Sequence, residues 1–130
     1  MSYKIVLVGD GKRGKTDFVL RLGGNLPRET YTPTQGVEVH PIRTSVGVVK
    51  IWDTAGQEKY GGLCDGYYIK ADAFIIFAET KEELNRWKHN IHRVVPNAPY
   101  VIVSTDFDLR SKAPQRALEL IEYLIMKITK

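Results

Sequence analysis

The sequence predicts an α/β fold in which helices cover both faces of an open, mostly parallel sheet of five strands. Short apolar runs alternate along the chain with segments that suit helices, as is typical of this class. A glycine-rich loop separates the first apolar run from the first helical segment. The 130 residues suit one hydrophobic core, so we expect a single compact domain over residues 1–130.

Five apolar runs are the predicted strands. The first is nearly continuous in hydrophobic residues, which favours a central position in the sheet. The second and third surround Ser45 and Gly47 and predict a hairpin, and Pro41 suits an edge strand because it lacks a backbone N–H. Four strands should be parallel and one, at the edge, antiparallel. The expected ranges are 3–8, 37–42, 48–52, 73–77 and 100–103.

Four segments are predicted to be helical. The first covers about 15–22, and a short second one includes 67–69. Thr80 is expected to cap the third helix, which should reach about Val95. The last helix is expected to begin near Ala113. Its predicted apolar face consists of Ala117, Leu118, Ile121, Leu124, Ile125 and Ile128.

The composition argues against several classes of protein. No apolar run is long enough to cross a bilayer, and the N-terminus lacks the layout of a signal peptide. Cys64 is the only cysteine, so we expect neither a disulfide framework nor a cysteine metal site. No cysteine near the C-terminus can carry a lipid, and we therefore expect no membrane anchor.

The net charge of +4 is mild, and residues 86–93 form the densest basic region. This region has two interpretations: a surface for an acidic partner or nucleic acid, or the solvated face of an amphipathic helix. We favour the solvated face and expect no specific nucleic-acid binding. Trp87, within this region, is expected to pack against the sheet rather than to anchor a partner.

The glycine-rich loop fits the pattern Gly-x-x-x-x-Gly-Lys-[Ser/Thr], in the strand–loop–helix context that the pattern requires. Gly9 and Gly14 allow the backbone to curl so that its N–H groups point at phosphate oxygens. Lys15 can reach the β- and γ-phosphates, and the Thr16 hydroxyl can bind Mg²⁺. The predicted nucleotide-binding residues here are Gly9, Asp10, Gly11, Lys12, Arg13, Gly14, Lys15, Thr16 and Asp17.

Loops that follow strands should hold the remaining chemistry, because open α/β sheets bind ligands at the carboxyl ends of their strands. Asp53 directly follows an apolar run and is placed to support Mg²⁺ through water. Gly56 can approach a γ-phosphate through its N–H, and Gln57 can orient an attacking water. Thr34 offers a hydroxyl and an N–H that can close over Mg²⁺. The predicted metal-supporting residues are thus Thr16, Thr34 and Asp53, and the catalytic ones Gln57 and Lys15.

The runs 36–41 and 52–69 resemble the two switches of the Ran family of small GTPases, in the Ras superfamily. The similarity covers roughly residues 3–104. It implies a P-loop NTPase fold and a Mg²⁺-dependent GTP/GDP switch with slow GTP hydrolysis. It further implies that nuclear transport receptors and Ran regulators bind through 31–41 and 53–69, and that a monomer resides in the cytoplasm and the nucleus.

The chain also departs from that family. Where the family reads guanine with Asn-Lys-x-Asp, this chain has Thr105, Asp106, Phe107 and Asp108, so only Asp108 is kept for the base. The sequence leaves no room for the family's fourth helix and sixth strand. Lys12 and Arg13 replace small residues of the phosphate loop, and an inward Lys12 would stabilise transition-state charge.

These departures leave rival functions open. One is a pseudo-GTPase or binding module that keeps the switch surfaces but binds nucleotide weakly, loosely or not at all. Another is a nucleotide hydrolase with a relaxed preference for the base. The intact set of Lys15, Thr16, Thr34, Asp53 and Gln57 favours the enzyme, because a module that only imitates the surface has no chemical need for Gln57.

Overall fold

A computed structural model describes residues 2–9, 18, 38–45, 47–53, 65–104 and 116–128. It contains five strands within these ranges. The strands are β1 (Ser2–Gly9), β2 (Glu38–Thr44), β3 (Gly47–Asp53), β4 (Ala73–Phe77) and β5 (Tyr100–Val103). The predicted strands are confirmed, with β4 and β5 at the expected ranges and the other three differing by one or two residues at their ends.

One sheet contains all five strands, in the spatial order β2-β3-β1-β4-β5. The β1 strand is central, as its continuous apolar run predicts, and it runs parallel to β3 and β4. The β5 strand pairs in parallel with β4, whereas β2 pairs antiparallel with β3. Pro41 lies in this antiparallel edge strand. Four parallel strands and one antiparallel edge strand are therefore confirmed.

Alternate side chains of β1 enter different cores, because successive residues of a strand point to opposite faces of the sheet. Ile5 and Leu7 lie in one core, which the last helix, α3 (Ala117–Ile128), covers. Val6 and Val8 lie in the other, beneath α1 (Asp65–Tyr68) and α2 (Lys81–Val94). All four side chains are fully buried. Helices thus cover both faces of the sheet, as predicted.

The helices differ from the prediction at their ends. The α1 helix ends at Tyr68, and Ile69 lies in the following turn with 54% of its surface exposed. The α2 helix ends at Val94, one residue early, and Thr80 is its N-cap as predicted. The predicted helix at about 15–22 lies outside the described residues except for Phe18, which is helical.

The last helix begins later than expected, and its predicted apolar face is confirmed at Ile121, Leu124, Ile125 and Ile128. It starts at Ala117. The carbonyl of Arg116, the residue before the helix, accepts the first helical hydrogen bond, from the Leu120 N–H. Leu118 was expected in the core but is 46% exposed, whereas Leu120 is fully buried. Periodicity gives the width of an apolar stripe, but docking on the sheet decides which part of the stripe is covered.

Trp87 and the basic residues of α2 have the positions that the sequence favours. Trp87 is buried in the core beneath α2, so it packs against the sheet. The exposed Arg86, His89 and Arg93 lie on the solvated side of the same helix. No helix among the described residues is long and apolar enough to cross a bilayer.

Candidate functional site

The carboxyl ends of the parallel strands lie side by side and form one edge of the sheet, which is different from the edge strand β2. Gly9, the last residue of β1, is opposite Phe77, the last residue of β4. Phe77 in turn is opposite Val103 at the end of β5. On the other side of β1, Leu7 is opposite Asp53 at the end of β3. Ligands of open α/β sheets bind at this edge.

Gly9 occupies a position that only glycine fits. Its φ is +151°, a value that side chains of L-residues rarely allow. A Cβ atom added there would lie 2.5 Å from the Phe77 carbonyl oxygen and 2.9 Å from the Phe77 Cβ. The first glycine of the phosphate-loop pattern is therefore required by the close approach of β1 to β4, just where the chain leaves the sheet.

Phe18 lies close to the same strand ends. It is fully buried, and its ring meets the ring of Phe77 edge-on, with centroids 5.5 Å apart and planes at 80°. Phe18 follows the phosphate-loop motif by two residues in the sequence. This contact fixes a helical residue just after the motif against the face of the sheet, next to the strand that Gly9 approaches.

Asp53 is a buried carboxylate at the end of β3, with 1% of its surface exposed. It lies between strands on both sides, opposite Leu7 of β1 and Glu38 of β2. A carboxylate oxygen is the type of ligand that Mg²⁺ prefers, either directly or through bound water. The position of Asp53, next to the strand that leads into the phosphate loop, fits the metal-supporting role predicted for it.

The other predicted site residues lie outside the described residues. They are Asp10, Gly11, Lys12, Arg13, Gly14, Lys15, Thr16, Asp17, Thr34, Gly56, Gln57 and Asp108. Of the predicted site, the structure therefore brings together Gly9 and Asp53, which end the neighbouring strands β1 and β3. Among the described residues, no group of three or more His, Cys, Asp or Glu side chains could hold a metal ion by itself.

Sequence reasoning missed a hydrogen bond at this edge of the sheet. The Ser104 hydroxyl donates to Glu79 Oε2 at 2.9 Å. Glu79 comes two residues after β4, and Ser104 directly follows β5. The signal was present in the sequence, because polar residues that follow neighbouring parallel strands meet at the same edge.

The start of α2 extends this contact into the helix. The Thr80 hydroxyl accepts a hydrogen bond from the Glu83 N–H at 3.1 Å and donates one to Glu83 Oε2 at 3.3 Å. Glu83 Oε1 accepts a further bond from the Glu79 N–H at 3.3 Å. This arrangement resembles a capping box. In a capping box the carboxylate accepts from the N–H of the N-cap residue, whereas here it accepts from the N–H of Glu79, the residue before the N-cap. It holds the segment between β4 and α2 in place.

A protein-family model matches most of the chain. The family model for Roc, described as "Ras of Complex, Roc, domain of DAPkinase", matches residues 4–108. The matched region begins in β1 and includes the phosphate-loop motif, Asp53 and the segment that ends at Asp108. The parallel sheet with helices on both faces agrees with this assignment. The chain therefore belongs to the Roc family of Ras-like, GTP-binding GTPase domains, within the P-loop NTPase superfamily.

Proposed function

We propose that this Roc-family domain is a Mg²⁺-dependent switch that alternates between GTP- and GDP-bound states and hydrolyses GTP slowly. Membership of a family of GTP-binding GTPases supports the class of reaction. The phosphate-loop sequence and the Asp53–Gln57 segment support the role of this particular chain. A switch needs two states of its loops, and the γ-phosphate distinguishes them.

The close approach of Gly9 to Phe77 is the observation that carries the proposal. Gly9 has a φ of +151°, and a Cβ atom added there would lie 2.5 Å from the Phe77 carbonyl oxygen. The end of β1 therefore requires glycine. A glycine there is what a loop needs to turn its backbone N–H groups towards a phosphate. The buried carboxylate of Asp53 ends the strand on the other side of β1, at the same edge.

Roles for the chain's own residues follow from their chemistry. The loop N–H groups and the Lys15 ammonium would bind the β- and γ-phosphates. The Thr16 and Thr34 hydroxyls would bind the metal ion, and the Asp53 carboxylate would hold its water ligands. When bound, Mg²⁺ neutralises phosphate charge. The buried carboxylate of Asp53 supports this role, because Mg²⁺ prefers oxygen ligands, either directly or through bound water.

Gln57 would orient the water that attacks the γ-phosphate. In this class of reaction, catalysis consists mainly of positioning and electrostatic stabilisation, so a residue that holds the water changes the rate more than the affinity. Lys12, if directed inward, would add positive charge where negative charge develops in the transition state. Both residues lie outside the described residues, and these roles rest on their places in the motifs.

We expect the chain to have lost more of its selectivity for guanine over other bases than of its affinity for the phosphates. Asp108 can accept hydrogen bonds from the guanine N1 and N2 groups, whereas Thr105 and Asp106 replace the asparagine and lysine of the Ran pattern. Losing two or three base contacts at about 1–2 kcal/mol each weakens binding by roughly 30-fold or more. The phosphates are common to all nucleotides, so this loss affects the choice of base first.

The resemblance to Ran suggests partners for the switch. We propose that nuclear transport receptors and Ran regulators bind through 31–41 and 53–69, and that the protein acts as a monomer in the cytoplasm and the nucleus. The exposure of Pro41 on the edge strand and of Ile69 after α1 supports a contact surface within these ranges. Binding of a nuclear import receptor to protein loaded with a non-hydrolysable GTP analogue, but not with GDP, tests this proposal.

A second candidate function is a binding module without appreciable hydrolysis. The specific observation that favours it is the replacement of the guanine-reading motif by Thr105-Asp106-Phe107-Asp108. Such a module would present the switch surfaces to partners whether or not a nucleotide is bound. It predicts that partner binding is the same with GDP, with a GTP analogue and without nucleotide.

Calorimetric titration separates these functions. Nucleotide-free protein is titrated with GDP, GTP, ADP and ATP in the presence of Mg²⁺. Tight binding of GDP and GTP alone supports the switch, and equal binding of the adenine nucleotides indicates a base-relaxed hydrolase. Binding of none of them refutes the enzyme and leaves the binding module.

Two variants refine that test. Lys15→Ala should abolish nucleotide binding if the phosphate loop is functional, and should change nothing if the chain is a binding module. Gln57→Leu should slow hydrolysis while leaving the dissociation constants of GDP and GTP unchanged. A Gln57→Leu variant that hydrolyses GTP at the original rate would exclude Gln57 as the residue that orients water.

A further inference from the structure

Four side chains on the second half of α2 line an open surface cavity of about 470 Å³. They are Lys88, His89, His92 and Arg93. The helix is anchored through Trp87 and Ile91, which are buried against the sheet, so these four residues lie on its outer side. We call this surface the basic face of α2.

The charged residues in the stretch of chain that forms the basic face are all basic. Residues 84–104 contain Arg86, Lys88, Arg93 and two histidines but no Asp or Glu. The two acidic residues of α2, Glu82 and Glu83, lie in its first turn, at the other end of the helix. A cavity whose lining residues include two permanent cations and no acid concentrates positive potential and attracts anionic groups.

Two of the lining side chains are held by contacts with neighbouring residues. The Lys88 ammonium lies 5.5 Å from the centre of the Tyr100 ring. His92 Nε2 lies 3.2 Å from the Ala98 carbonyl oxygen, and its ring meets Tyr100 edge-on with centroids 5.8 Å apart. Side chains that are already positioned lose less conformational entropy when a ligand binds, so they bind more tightly than mobile surface lysines.

The basic face is separate from the candidate nucleotide site. The α2 helix begins after β4, at the edge of the sheet where Gly9 and Asp53 end their strands, and its 14 residues run about 20 Å away from that edge. The basic face occupies the far half of the helix, close to the start of β5 at Tyr100. A ligand bound there would leave the phosphate loop accessible.

The geometry favours carboxylates of a peptide over nucleic acid. Single-stranded nucleic acids bind through aromatic rings on which bases can stack. The aromatic ring at this surface belongs to Tyr100, which is half-buried and already contacted by both Lys88 and His92. Arginine and lysine at an open surface cavity instead suit carboxylates, because a guanidinium group can bind a carboxylate with two parallel hydrogen bonds.

We propose that the basic face of α2 is a docking site for an acidic peptide segment, rich in Asp and Glu, of a partner protein. Two lining pairs, Lys88 with His92 and His89 with Arg93, are spaced four residues apart on the helix. Side chains at this spacing are neighbours on one face of a helix, so one docked segment can contact both members of a pair. The docked segment tethers a partner to the domain independently of the nucleotide.

Fluorescence anisotropy of the full chain tests the proposal. The probe is a fluorescein-labelled poly-glutamate peptide, with a poly-glutamine peptide of the same length as the neutral reference. The double variant K88E/R93E should bind the acidic probe at least about tenfold more weakly, because two attractive charge contacts become repulsive. The double variant K50E/K127E changes the net charge equally at exposed positions elsewhere and should lose less than about twofold.

Every outcome decides between the alternatives. Absence of acidic-peptide binding by the original protein at low ionic strength overturns the proposal, as does equal loss in the two double variants. Tighter binding of a labelled single-stranded oligonucleotide, lost in K88E/R93E, would assign the face to nucleic acid instead. Circular dichroism checks that both variants are folded. If charge reversal disturbs the helix, K88Q/R93Q is used instead, and it should weaken binding of the acidic probe by less than K88E/R93E is expected to.

Discussion

The Ser104 hydroxyl donates a hydrogen bond of 2.9 Å to the Glu79 carboxylate, and this bond links the ends of two neighbouring parallel strands. Glu79 leads from β4 into α2, and Ser104 leads out of β5 towards the segment that contains Asp108. The bond joins residues 25 positions apart. It fixes the end of β5 relative to the segment between β4 and α2, at the edge where the nucleotide is proposed to bind.

We predict that Ser104→Ala lowers the free energy of unfolding by about 1.5–3 kcal/mol, because the hydrogen bond has a charged acceptor and the Ser104 side chain is buried. Urea denaturation measures the change. In a double-mutant cycle with Glu79→Ala, the two substitutions should show a coupling energy of about 0.5–3 kcal/mol. Additive effects of the two would contradict a direct interaction.

Gly9→Ala should destabilise the fold by about 1–3 kcal/mol, because the added Cβ meets the Phe77 carbonyl at a backbone conformation that alanine rarely adopts. Nucleotide affinity should fall with it. Gly66→Ala is the matched control, since nothing lies within 4 Å of a Cβ there and the residue is in a helix. That change should stabilise by at most about 1 kcal/mol. A Gly9→Ala protein as stable as the original would show that β1 does not approach β4 this closely.

Thr80→Ala should lower stability by about 1 kcal/mol, because the Glu83 N–H and the buried Glu83 carboxylate each lose a hydrogen bond to the hydroxyl. Thr80→Ser keeps the hydroxyl and should recover most of the loss. Thermal unfolding at constant pH measures both variants. If Thr80→Ser is as unstable as Thr80→Ala, the hydroxyl is not what holds the helix start.

The pH dependence of stability should include a contribution from Lys4. Burial lowers the pKa of this residue from 10.5, and the carboxylate of Asp72 offsets part of that effect. The unfolded chain therefore retains this proton at pH values where the folded protein has lost it. Stability from Lys4 should rise with pH between its lowered folded pKa and 10.5.

Comparison with Lys4→Met isolates this contribution, because other groups titrate equally in both proteins. The stability of the original protein relative to Lys4→Met should increase as pH rises from neutral towards 10.5. Urea denaturation at a series of pH values gives the difference. The side chain also donates to the Ile69 carbonyl at 2.8 Å and lies 3.9 Å from the centre of the Trp52 ring. A pH-independent difference would mean that burial does not disfavour its charged form.

Asp53→Asn should reduce the Mg²⁺-dependent part of GTP affinity about 10–100-fold, the range found for residues that hold metal ligands in place. Binding measured with Mg²⁺ and with a chelator gives that part directly. Asp72→Asn is the control, because this carboxylate precedes β4 and so lies at the opposite edge of the sheet. An equal loss in both variants, or a loss that persists in the chelator, would contradict a metal-supporting role.

The sequence by itself determined the local structure and the class of chemistry. The β4 and β5 ranges, the central place of β1, the edge place of Pro41 and the Thr80 cap all follow from short-range rules. Hydrophobic runs, missing N–H donors and capping hydroxyls act within a few residues. The phosphate-loop motif likewise indicated nucleotide chemistry, which the family match supports at the level of a Ras-like GTPase.

Only the tertiary structure decided which distant residues meet. It buried Leu120 in place of Leu118, brought Ser104 to Glu79, and placed the Phe77 backbone where Gly9 cannot carry a side chain. Strand order and helix docking set these contacts, and both depend on packing over the whole domain. A sequence pattern specifies which face of an element is apolar, but the surface that covers that face belongs to another part of the chain.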